Sequence, residues 1–400
     1  MPSPKTIMIL GASILQLPAI EKAAAMGLRV VALDWNPDAV GFGVPGVIRE
    51  VVSTIDIPAA VETAGRYRID GVMTLATDMP MRTVAAVAKA YGLVGIDKQT
   101  AIRATDKGVM RAALQAHGVP VPAFFRVRND AEFRTAQNRL NGKMIVKPAD
   151  SSGSRGVHLV TDPTDAQAAY ADAKSFSRCG DVIVEEYMRG PEVSVETLAM
   201  NGDVRVIQIT DKLTTGAPRF VETGHTQPSR LAAATREAIE RVAIAANHAV
   251  GIENGPSHTE IIVTKDGPKV VEIGARLGGD CITTHLVPLS TGVDMVEACI
   301  RIALGETPDL ARKAQRGAAI RYFDQHAGTV RFIEGLERAR SMPGVRQVSV
   351  VHGVGERVTE ITDSGSRMGF VIAEGETADD AEKNCEAALH AIRVGIGDAL

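Results

Sequence analysis

Apolar and polar positions alternate along the first hundred residues in a pattern of short strands and amphipathic helices. Apolar runs that predict strands cover residues 6–10, 28–33 and 71–75. Apolar residues at helical spacing cover residues 17–26 and 81–91. Strand, helix and strand in this order predict a parallel sheet with helices on its faces.

On this basis we expect residues 1–97 to form a Rossmann-like domain. A dinucleotide site is one interpretation of Gly11, which closes the first strand, and Asp34, which follows the second. The fingerprint of such a site needs three glycines, whereas this loop offers one. A Rossmann-like scaffold without that site is therefore the favoured interpretation.

Beyond residue 97 the pattern changes to helices mixed with antiparallel strand signals. Helices are predicted at 101–117 and 231–250. The predicted strands between them cover residues 143–148, 156–160, 181–186, 192–199 and 204–210.

Two further strands, at 258–264 and 269–273, are joined by a hairpin turn signal in Lys265-Asp266-Gly267. We expect one two-part domain over residues 98–304. A small α/β domain is expected over residues 305–400, where short strands alternate with a last helix.

The composition is that of an ordinary globular protein, with 45% apolar and 23% charged residues among 400. The net charge of −4 gives no hint of a nucleic-acid or anionic membrane partner. No apolar run reaches the length of a membrane span, and the four cysteines form no CxxC pair. We therefore expect a cytoplasmic protein with reduced thiols.

The hairpin carries the first candidate chemistry. If its turn centres on Asp266, Glu260 lies opposite Glu272, and His258 lies opposite Gly274 on the same face. Two facing carboxylates repel each other unless a cation lies between them, and magnesium takes one or two carboxylates together with phosphate oxygens. The alternative is an exposed hairpin with solvated glutamates. Arg276, in a glycine-flanked run after Glu272, favours the metal site.

A lysine and a loop of small polar residues form the second candidate element. Lys147 ends a strand, and Ser151, Ser152, Gly153 and Ser154 follow it. Such a loop presents N–H groups and hydroxyls to phosphate oxygens, and the lysine supplies a positive charge. A plain flexible hairpin loop is the alternative.

The third element is a strand that ends in two acids, Glu185 and Glu186, followed by Tyr187, Met188 and a return strand that begins at Glu192. Backbone groups at such a crossing can bind an adenine edge, and a glutamate can bind ribose hydroxyls. An edge strand with solvated acids is the alternative.

These three elements, in this order and with Lys107 ahead of them, resemble the ATP-grasp superfamily over roughly the first three hundred residues. The resemblance implies that Lys107 and Lys147 bind nucleotide phosphates. It also implies adenine binding by the backbone of residues 185–188, ribose binding by Glu192 and metal binding by Glu260 and Glu272. Arg276 would then steady the transferred phosphate and the acyl intermediate.

One departure from the superfamily pattern concerns the metal. Many members have asparagine two residues after the second metal-binding glutamate, and this chain has Gly274 there. The coordination of a second magnesium is therefore in doubt, and water or His258 is a candidate substitute.

Within the superfamily, the strings at 255–260, 274–280 and 222–225 look like those of L-amino-acid ligases, which make dipeptides. His225 and Asp280, in or beside these strings, are candidates for holding a substrate amino group. Asp78 could reach the cleft from its strand end, or it could cap the next helix.

The resemblance implies an ATP-dependent ligase that activates a carboxylate as an acyl phosphate for attack by an amine. Its cofactor would be magnesium, or manganese in its place, and the segment 110–190 would form a mobile lid. His258 could orient a carboxylate or deprotonate the amine, or it could be structural. The expected partners are a small carboxylate and a small amine, and residues 305–400 could also form a homodimer contact.

Three alternatives to a ligase can be considered, of which the first stays open and the other two are disfavoured by the sequence. A carboxylase that uses bicarbonate, similar to biotin carboxylase or to purine-pathway enzymes, has the same ATP chemistry. A nucleotide-binding protein without turnover is disfavoured, because both lysines, both glutamates and Arg276 are present. A Rossmann oxidoreductase is disfavoured by its missing glycines.

Overall fold

The computed structural model describes residues 3–151, 153, 155–217 and 219–397. The strands of the first half are β1 (Thr6–Leu10), β2 (Arg29–Asp34), β3 (Ile48–Val51), β4 (Gly71–Met73), β5 (Phe124–Val127), β6 (Met144–Pro148), β7 (His158–Val160), β8 (Val182–Glu186) and β9 (Glu192–Met200). Those of the second half are β10 (Asp203–Thr214), β11 (Glu222–Gln227), β12 (Gly255–Thr264), β13 (Gly267–Gly274), β14 (Gly317–Tyr322), β15 (Gly328–Glu334), β16 (Val345–Val350), β17 (Arg357–Val358), β18 (Gly369–Gly375) and β19 (Arg393–Gly397).

The α-helices lie on and between the sheets. They are α1 (Leu17–Ala25), α2 (Ile57–Tyr67), α3 (Met81–Tyr91), α4 (Lys98–Arg103), α5 (Lys107–Ala116), α6 (Asp130–Leu140), α7 (Ala166–Phe176), α8 (Ala233–Val250), α9 (Val287–Thr291), α10 (Met295–Ala303), α11 (Leu336–Arg340) and α12 (Ala378–His390). One π-helical turn, Ile282–Leu286, leads into α9. The mixed α/β fold class predicted from the sequence is confirmed.

The N-terminal sheet is parallel throughout, as the strand-helix-strand rhythm predicts. Its strand order is β3-β2-β1-β4, and β1 is its most continuously buried strand. Burial on both faces explains why β1 is apolar at nearly every position. Asp34, at the end of β2, accepts a hydrogen bond of 2.8 Å from the amide of Ala12. Its carboxylate therefore stabilises the loop after β1.

A second sheet, in the order β5-β8-β6-β7, is antiparallel and has its own core. Helices α6 and α7 cover it, and Phe133 stacks on Tyr170 with ring centroids 4.5 Å apart. Helix α5 precedes this unit, and its Met110 and Leu114 lie in the large core that includes α8 instead. Lys107 therefore lies on a helix packed against the main body.

The largest sheet has eight strands in the order β13-β12-β9-β10-β11-β14-β18-β16. Its neighbours are all antiparallel, and β11 pairs with β14 from Gly224 opposite Arg321 to Gln227 opposite Ala318. The sheet is thus continuous across residue 305, although a sequence boundary is predicted there. A small sheet of β17, β15 and β19 lies beyond it.

One predicted helix is wrong in its extent. The segment 101–117 is not a single helix, because α4 ends at Arg103 and α5 begins at Lys107. Asp106 lies between them, and its carboxylate accepts hydrogen bonds from the amides of Gly108 and Val109. An aspartate in this role starts a new helix, and sequence periodicity alone did not reveal the break.

Across the described ranges, no helix combines the length and the apolar character needed to cross a membrane. The four cysteines are all free thiols.

Candidate active site

The β12–β13 hairpin places Glu260 directly opposite Glu272 and His258 opposite Gly274, as predicted. The route to this register differs from the prediction. Thr264 pairs with Gly267 across a two-residue turn, and the register then shifts between Glu260 and Ile261. This irregularity leaves Val271 without a place in the regular pairing. Without it, the turn would have set Glu260 opposite Val271.

A buried arginine holds the irregular part of β13. Arg111 of α5 donates hydrogen bonds to the carbonyls of Val270 (3.0 Å) and Val271 (2.7 Å). Its Nε donates to Glu185 at 2.6 Å, and its side chain is 1% exposed. Arg111 therefore joins helix α5, strand β8 and the β12–β13 hairpin in one network. No motif in the sequence marks Arg111.

Lys147 belongs to the same network. Its ammonium lies 2.7 Å from Glu185, whose side chain points inward between Lys147 and Arg111. Burial alone would raise the pKa of Glu185, but the two cations outweigh it and lower that pKa to about 2. The side chain of Glu185 is thus occupied, which leaves only its backbone for the predicted adenine contact.

Each of the two facing glutamates has a cation beside it. Lys107 lies 3.1 Å from Glu272, and it also donates to the carbonyl of Ser151 at 2.7 Å. Lys212 lies 3.2 Å from Glu260. Burial disfavours ionised Glu260, but Lys212 and His258 hold its pKa well below the usual range. These cations offset the repulsion of the carboxylates.

Lys212, on β10, is a further residue of the site and was not predicted from the sequence. Its ammonium contacts Glu192 (2.8 Å), Glu222 (3.3 Å) and Glu260, and these carboxylates raise its pKa against the effect of burial. The predicted strand stopped at residue 210, whereas β10 runs to Thr214. Extending the alternation beyond residue 210 would have placed Lys212 on a strand.

His258 contacts Glu196, which is a second site residue that was not predicted from the sequence. Its Nδ1 is 2.5 Å from Glu196, a fully buried carboxylate on β9, and its Nε2 is 3.5 Å from Glu260. Burial alone would lower the pKa of His258, but Glu196 raises it to about 9. An imidazolium with this pKa is a cation near neutral pH, so it pairs with carboxylates and is a poor proton acceptor.

Arg276 binds Asp78 through both of its carboxylate oxygens, at 3.0 and 3.3 Å. Asp78 lies in the loop after β4, so the parallel sheet contributes directly to this cleft. Gly274 makes the contact sterically feasible, because a Cβ there would lie 2.9 Å from the Asp78 oxygen. The residue that departs from the superfamily pattern is therefore the one that leaves room for this ion pair.

His225 and Asp280 lie together, 3.2 Å apart, in a separate charged cluster. Arg367 from the C-terminal part pairs with both Asp280 oxygens (2.6 and 2.9 Å) and lies over the ring of Tyr322. Burial disfavours ionised Asp280, but His225 and Arg367 lower its pKa strongly. The sequence carried no readable signal for Arg367.

Most of the predicted site residues line one cavity, and it also contains Lys212 and Glu222. Those residues are Asp78, Lys107, Lys147, Ser151, Gly153, Glu185, Glu186, Tyr187, Met188, Glu192, His258, Glu260, Glu272 and Arg276. His225 and Asp280 do not line it. The predicted residues Ser152 and Ser154 lie outside the described residues.

Two backbone amides at the end of β8 already donate hydrogen bonds within the protein. The amide of Glu186 donates to the carbonyl of Ala123 (2.8 Å), and that of Tyr187 donates to Lys143 (3.3 Å). These bonds hold the chain crossing where Tyr187 and Met188 line the cavity.

The carboxylate pair fits a magnesium ion that takes its other ligands from phosphate and water. Glu260 and Glu272 face each other from adjacent strands, and both line the cavity. Gly274 adds no ligand atom from a side chain. In the described part of the chain, no group of three His, Cys, Asp or Glu residues is placed to hold a metal.

Two family models and one relative match long parts of the chain. Residues 140–284 match the model of the ATP-grasp domain, and residues 321–397 match that of the L-amino acid ligase C-terminal domain 2. The uncharacterized protein y4rH of Sinorhizobium fredii is 30% identical over 351 residues, which are 85% of this chain and 72% of that protein.

Two named enzymes are also similar. Alanine–anticapsin ligase of Bacillus subtilis is 28% identical over 276 residues, which are 63% of this chain and 58% of that enzyme. The crystal structure of an L-amino acid ligase from Bacillus licheniformis matches with a TM-score of 0.87 and 25% identity over 100% of both chains.

The chain therefore belongs to the ATP-grasp family of ligases. Within that family it resembles the L-amino acid ligases, and it carries their C-terminal domain 2. The family resemblance predicted from the sequence is confirmed.

Proposed function

We propose that this protein joins an amino acid to an amine, using ATP to activate the carboxylate of the amino acid as an acyl phosphate. The observation that carries the proposal is the pair of facing glutamates, Glu260 and Glu272, with Lys107, Lys212 and Arg276 around them in one cavity. Phosphoryl transfer depends on such positioned charges, because charge on the phosphate must be held and compensated.

In this proposal the lysines align the nucleotide. Lys107 and Lys147 approach the cavity from α5 and β6, and each is fixed by a carboxylate. Glu192 lies further along the cavity with Tyr187 and Met188, where ribose and adenine would bind. Magnesium held by Glu260 and Glu272 would neutralise charge on the phosphate oxygens.

Arg276 would stabilise the negative oxygens that develop at the acyl centre. Its guanidinium is oriented by both oxygens of Asp78, so it needs little reorganisation during the reaction. His258, held as a cation by Glu196, would orient the substrate carboxylate electrostatically. We favour this role over the other two interpretations of this histidine, proton abstraction and a purely structural one.

The test uses hydroxylamine as a small nucleophile that traps an acyl phosphate. The protein is incubated with ATP, magnesium and each amino acid in turn, and the hydroxamates are identified by mass. We expect a hydroxamate from at least one amino acid, with one ADP formed for each hydroxamate.

Bicarbonate provides the contrasting test. ADP formation that requires bicarbonate, with no hydroxamate from any amino acid, would favour the carboxylase alternative and contradict this proposal.

A further inference from the structure

A second cavity, of about 540 Å³, adjoins the candidate nucleotide cavity. The two cavities meet beside Glu272, and the residues that line both are Asp78, Lys107, Ser151, Arg155 and Glu272. The second cavity extends away from the predicted adenine end, toward the loops of the parallel sheet. Its volume lies within the range of small-molecule sites.

Four large apolar side chains line this cavity while remaining exposed to solvent. They are Ile55 (53% exposed), Ile57 (37%), Met79 (40%) and Phe176 (44%). Single exposed apolar residues are common on protein surfaces, but a concave cluster of them is typical of ligand sites. Each would gain stabilisation if an apolar ligand group covered it.

The charged residues that line the same cavity differ in how they are paired. Asp78 binds Arg276, Glu272 binds Lys107, and Asp150 binds Arg178. Arg82 donates from its Nε to the Thr105 hydroxyl at 3.1 Å. Among the residues that the structure describes, no carboxylate oxygen lies within 4.0 Å of the Arg82 guanidinium.

Arg82 therefore presents a planar pair of donors without an acidic partner in the described chain. Such a fork matches the geometry of a carboxylate, which it can bind through two parallel hydrogen bonds. The cavity thus combines a site for one negative group with an apolar wall, next to the place where the acyl phosphate would form.

We propose that this cavity binds the amine substrate, and that this substrate is an apolar amino acid whose carboxylate pairs with Arg82. The proposal rests on the ligase function proposed above and adds the residues that would recognise the second substrate. The side chain of the amino acid would contact Ile55, Ile57, Met79 and Phe176. Its amino group would lie toward Glu272 and Lys107, where the two cavities meet.

The reaction at this junction balances without a further reactant. The lone pair of the amine nitrogen forms a bond to the carbonyl carbon of the acyl phosphate. The bond from that carbon to the phosphate oxygen breaks, and phosphate leaves with the electron pair. One proton moves from nitrogen to the departing phosphate, which gives an amide and hydrogen phosphate.

Three nucleophiles separate the amine site from the activation step. With an acid that yields a hydroxamate, rates are measured with L-leucine, with L-leucinamide, which lacks the carboxylate, and with hydroxylamine. Arg82→Gln should raise the KM for L-leucine at least tenfold, because a charge-assisted contact is lost. The KM for L-leucinamide and the rate with hydroxylamine should change less than twofold.

Lys89→Gln is the matched control, because Lys89 is another exposed cation on helix α3 and does not line the cavity. It should leave all three rates unchanged. A second variant, Ile55→Ser, tests the apolar wall. It should reduce the preference for L-leucine over glycine, expressed as a ratio of kcat/KM values, at least threefold.

The outcomes distinguish the two proposals. Hydroxamate formation together with an unchanged KM for L-leucine in Arg82→Gln overturns the amine-site assignment and leaves the ligase function standing. An equal rise for L-leucine and L-leucinamide also overturns it, since the carboxylate would then play no part. Failure of wild-type protein to form any hydroxamate contradicts the ligase function itself.

Discussion

At the scale of single residues, the candidate site consists of carboxylates and cations that stabilise one another in pairs. Glu272 has Lys107, Glu260 has Lys212, and Arg276 has Asp78. A cation removed from such a partly buried pair leaves an uncompensated charge, which costs more than the pair contributes. A substitution in one of these pairs should therefore change both the catalytic rate and the free energy of unfolding. Control variants are needed to separate the two effects.

The first prediction concerns the two facing glutamates that are proposed to bind magnesium. Glu272→Ala removes one of two facing carboxylates, so we expect loss of turnover by at least a hundredfold in a folded protein. Asp266→Ala removes an exposed carboxylate from the turn of the same hairpin and should leave the rate unchanged. A loss of less than about tenfold in Glu272→Ala, roughly 1.4 kcal/mol of barrier, would refute the assignment.

The second prediction concerns the phosphate contacts. Lys147→Ala should raise the KM for ATP, since it would remove the proposed charge-assisted contact to phosphate, and Lys107→Ala should do the same. Lys143→Ala is the control, because Lys143 is exposed just before β6. The placement of the phosphate site would be wrong if Lys143→Ala raised the KM for ATP as much as Lys147→Ala.

At the scale of secondary-structure elements, helix α5 connects several parts of the site. It carries Lys107 in its first turn and Arg111 in the next, and the amide of Lys107 donates to the carbonyl of Ala149, the residue after β6. Arg111 and Lys147 share Glu185, so α5, β6 and β8 are tied by one buried carboxylate. A substitution that weakens the start of α5, or one that removes the charge of Glu185, should therefore disturb the candidate site.

The third prediction concerns the N-cap of α5. Asp106→Ala removes the hydrogen bonds to Gly108 and Val109, whereas Asp106→Asn keeps a capping side chain. The alanine variant should be less stable than the asparagine variant by about 0.5–2 kcal/mol, and it should have the higher KM for ATP. Urea unfolding and initial rates measure the two effects.

A cap elsewhere provides the control for this helix. Thr377 caps α12 by accepting a hydrogen bond from the Asp380 amide. Thr377→Ala should lose similar stability without changing the KM for ATP. Equal KM values in Thr377→Ala and Asp106→Ala would contradict a specific role for the start of α5.

The fourth prediction concerns Glu185 and pH. Glu185→Gln leaves two buried cations without their carboxylate, so we expect a loss of about 3–5 kcal/mol near neutral pH. The folded pKa of Glu185, about 2, lies below its ordinary value of 4.5. The stabilisation is thus present above pH 4.5 and is lost as the pH falls toward 2. The difference between wild type and variant in unfolding free energy should shrink over that interval, and a constant difference would contradict the prediction.

At the scale of the whole molecule, segments distant in sequence meet at the cleft. Asp78 from the N-terminal sheet contacts Arg276, and Arg367 from the C-terminal part contacts Asp280. The eight-stranded sheet includes β14, β18 and β16, all of which follow residue 305. Ile320 and Ile372 from these strands lie in the core that also contains Leu286 and Met295.

The fifth prediction follows from this continuity. A protein ended at residue 304 would expose the edge of β11 and part of an apolar core, so we expect aggregation instead of cooperative unfolding. Co-expression of residues 305–400 as a separate chain should restore part of the soluble protein. A monomeric 1–304 fragment that unfolds cooperatively at the unfolding temperature of the full chain would show that the C-terminal strands are dispensable for folding.

Local signals in the sequence determined much of this protein. Alternation and turn residues predicted the parallel sheet, helix α3 with its observed bounds, and the hairpin with Glu260 opposite Glu272. These features depend on side-chain periodicity and turn chemistry, which are properties of neighbouring residues. The order of the three motifs was enough to predict the ATP-grasp family.

Only the tertiary structure decided which charged groups, distant in sequence, contact one another. Arg111, Glu196, Lys212 and Arg367 carried no motif, because burial and partners across strands define their roles. Their partners are Glu185, His258, Glu260 and Asp280, respectively. The two residues of each pair are between 48 and 87 positions apart in the sequence. The register of the hairpin likewise depends on an irregular residue that Arg111 holds in place. Electrostatic contacts act through space, and periodicity along the chain does not encode them.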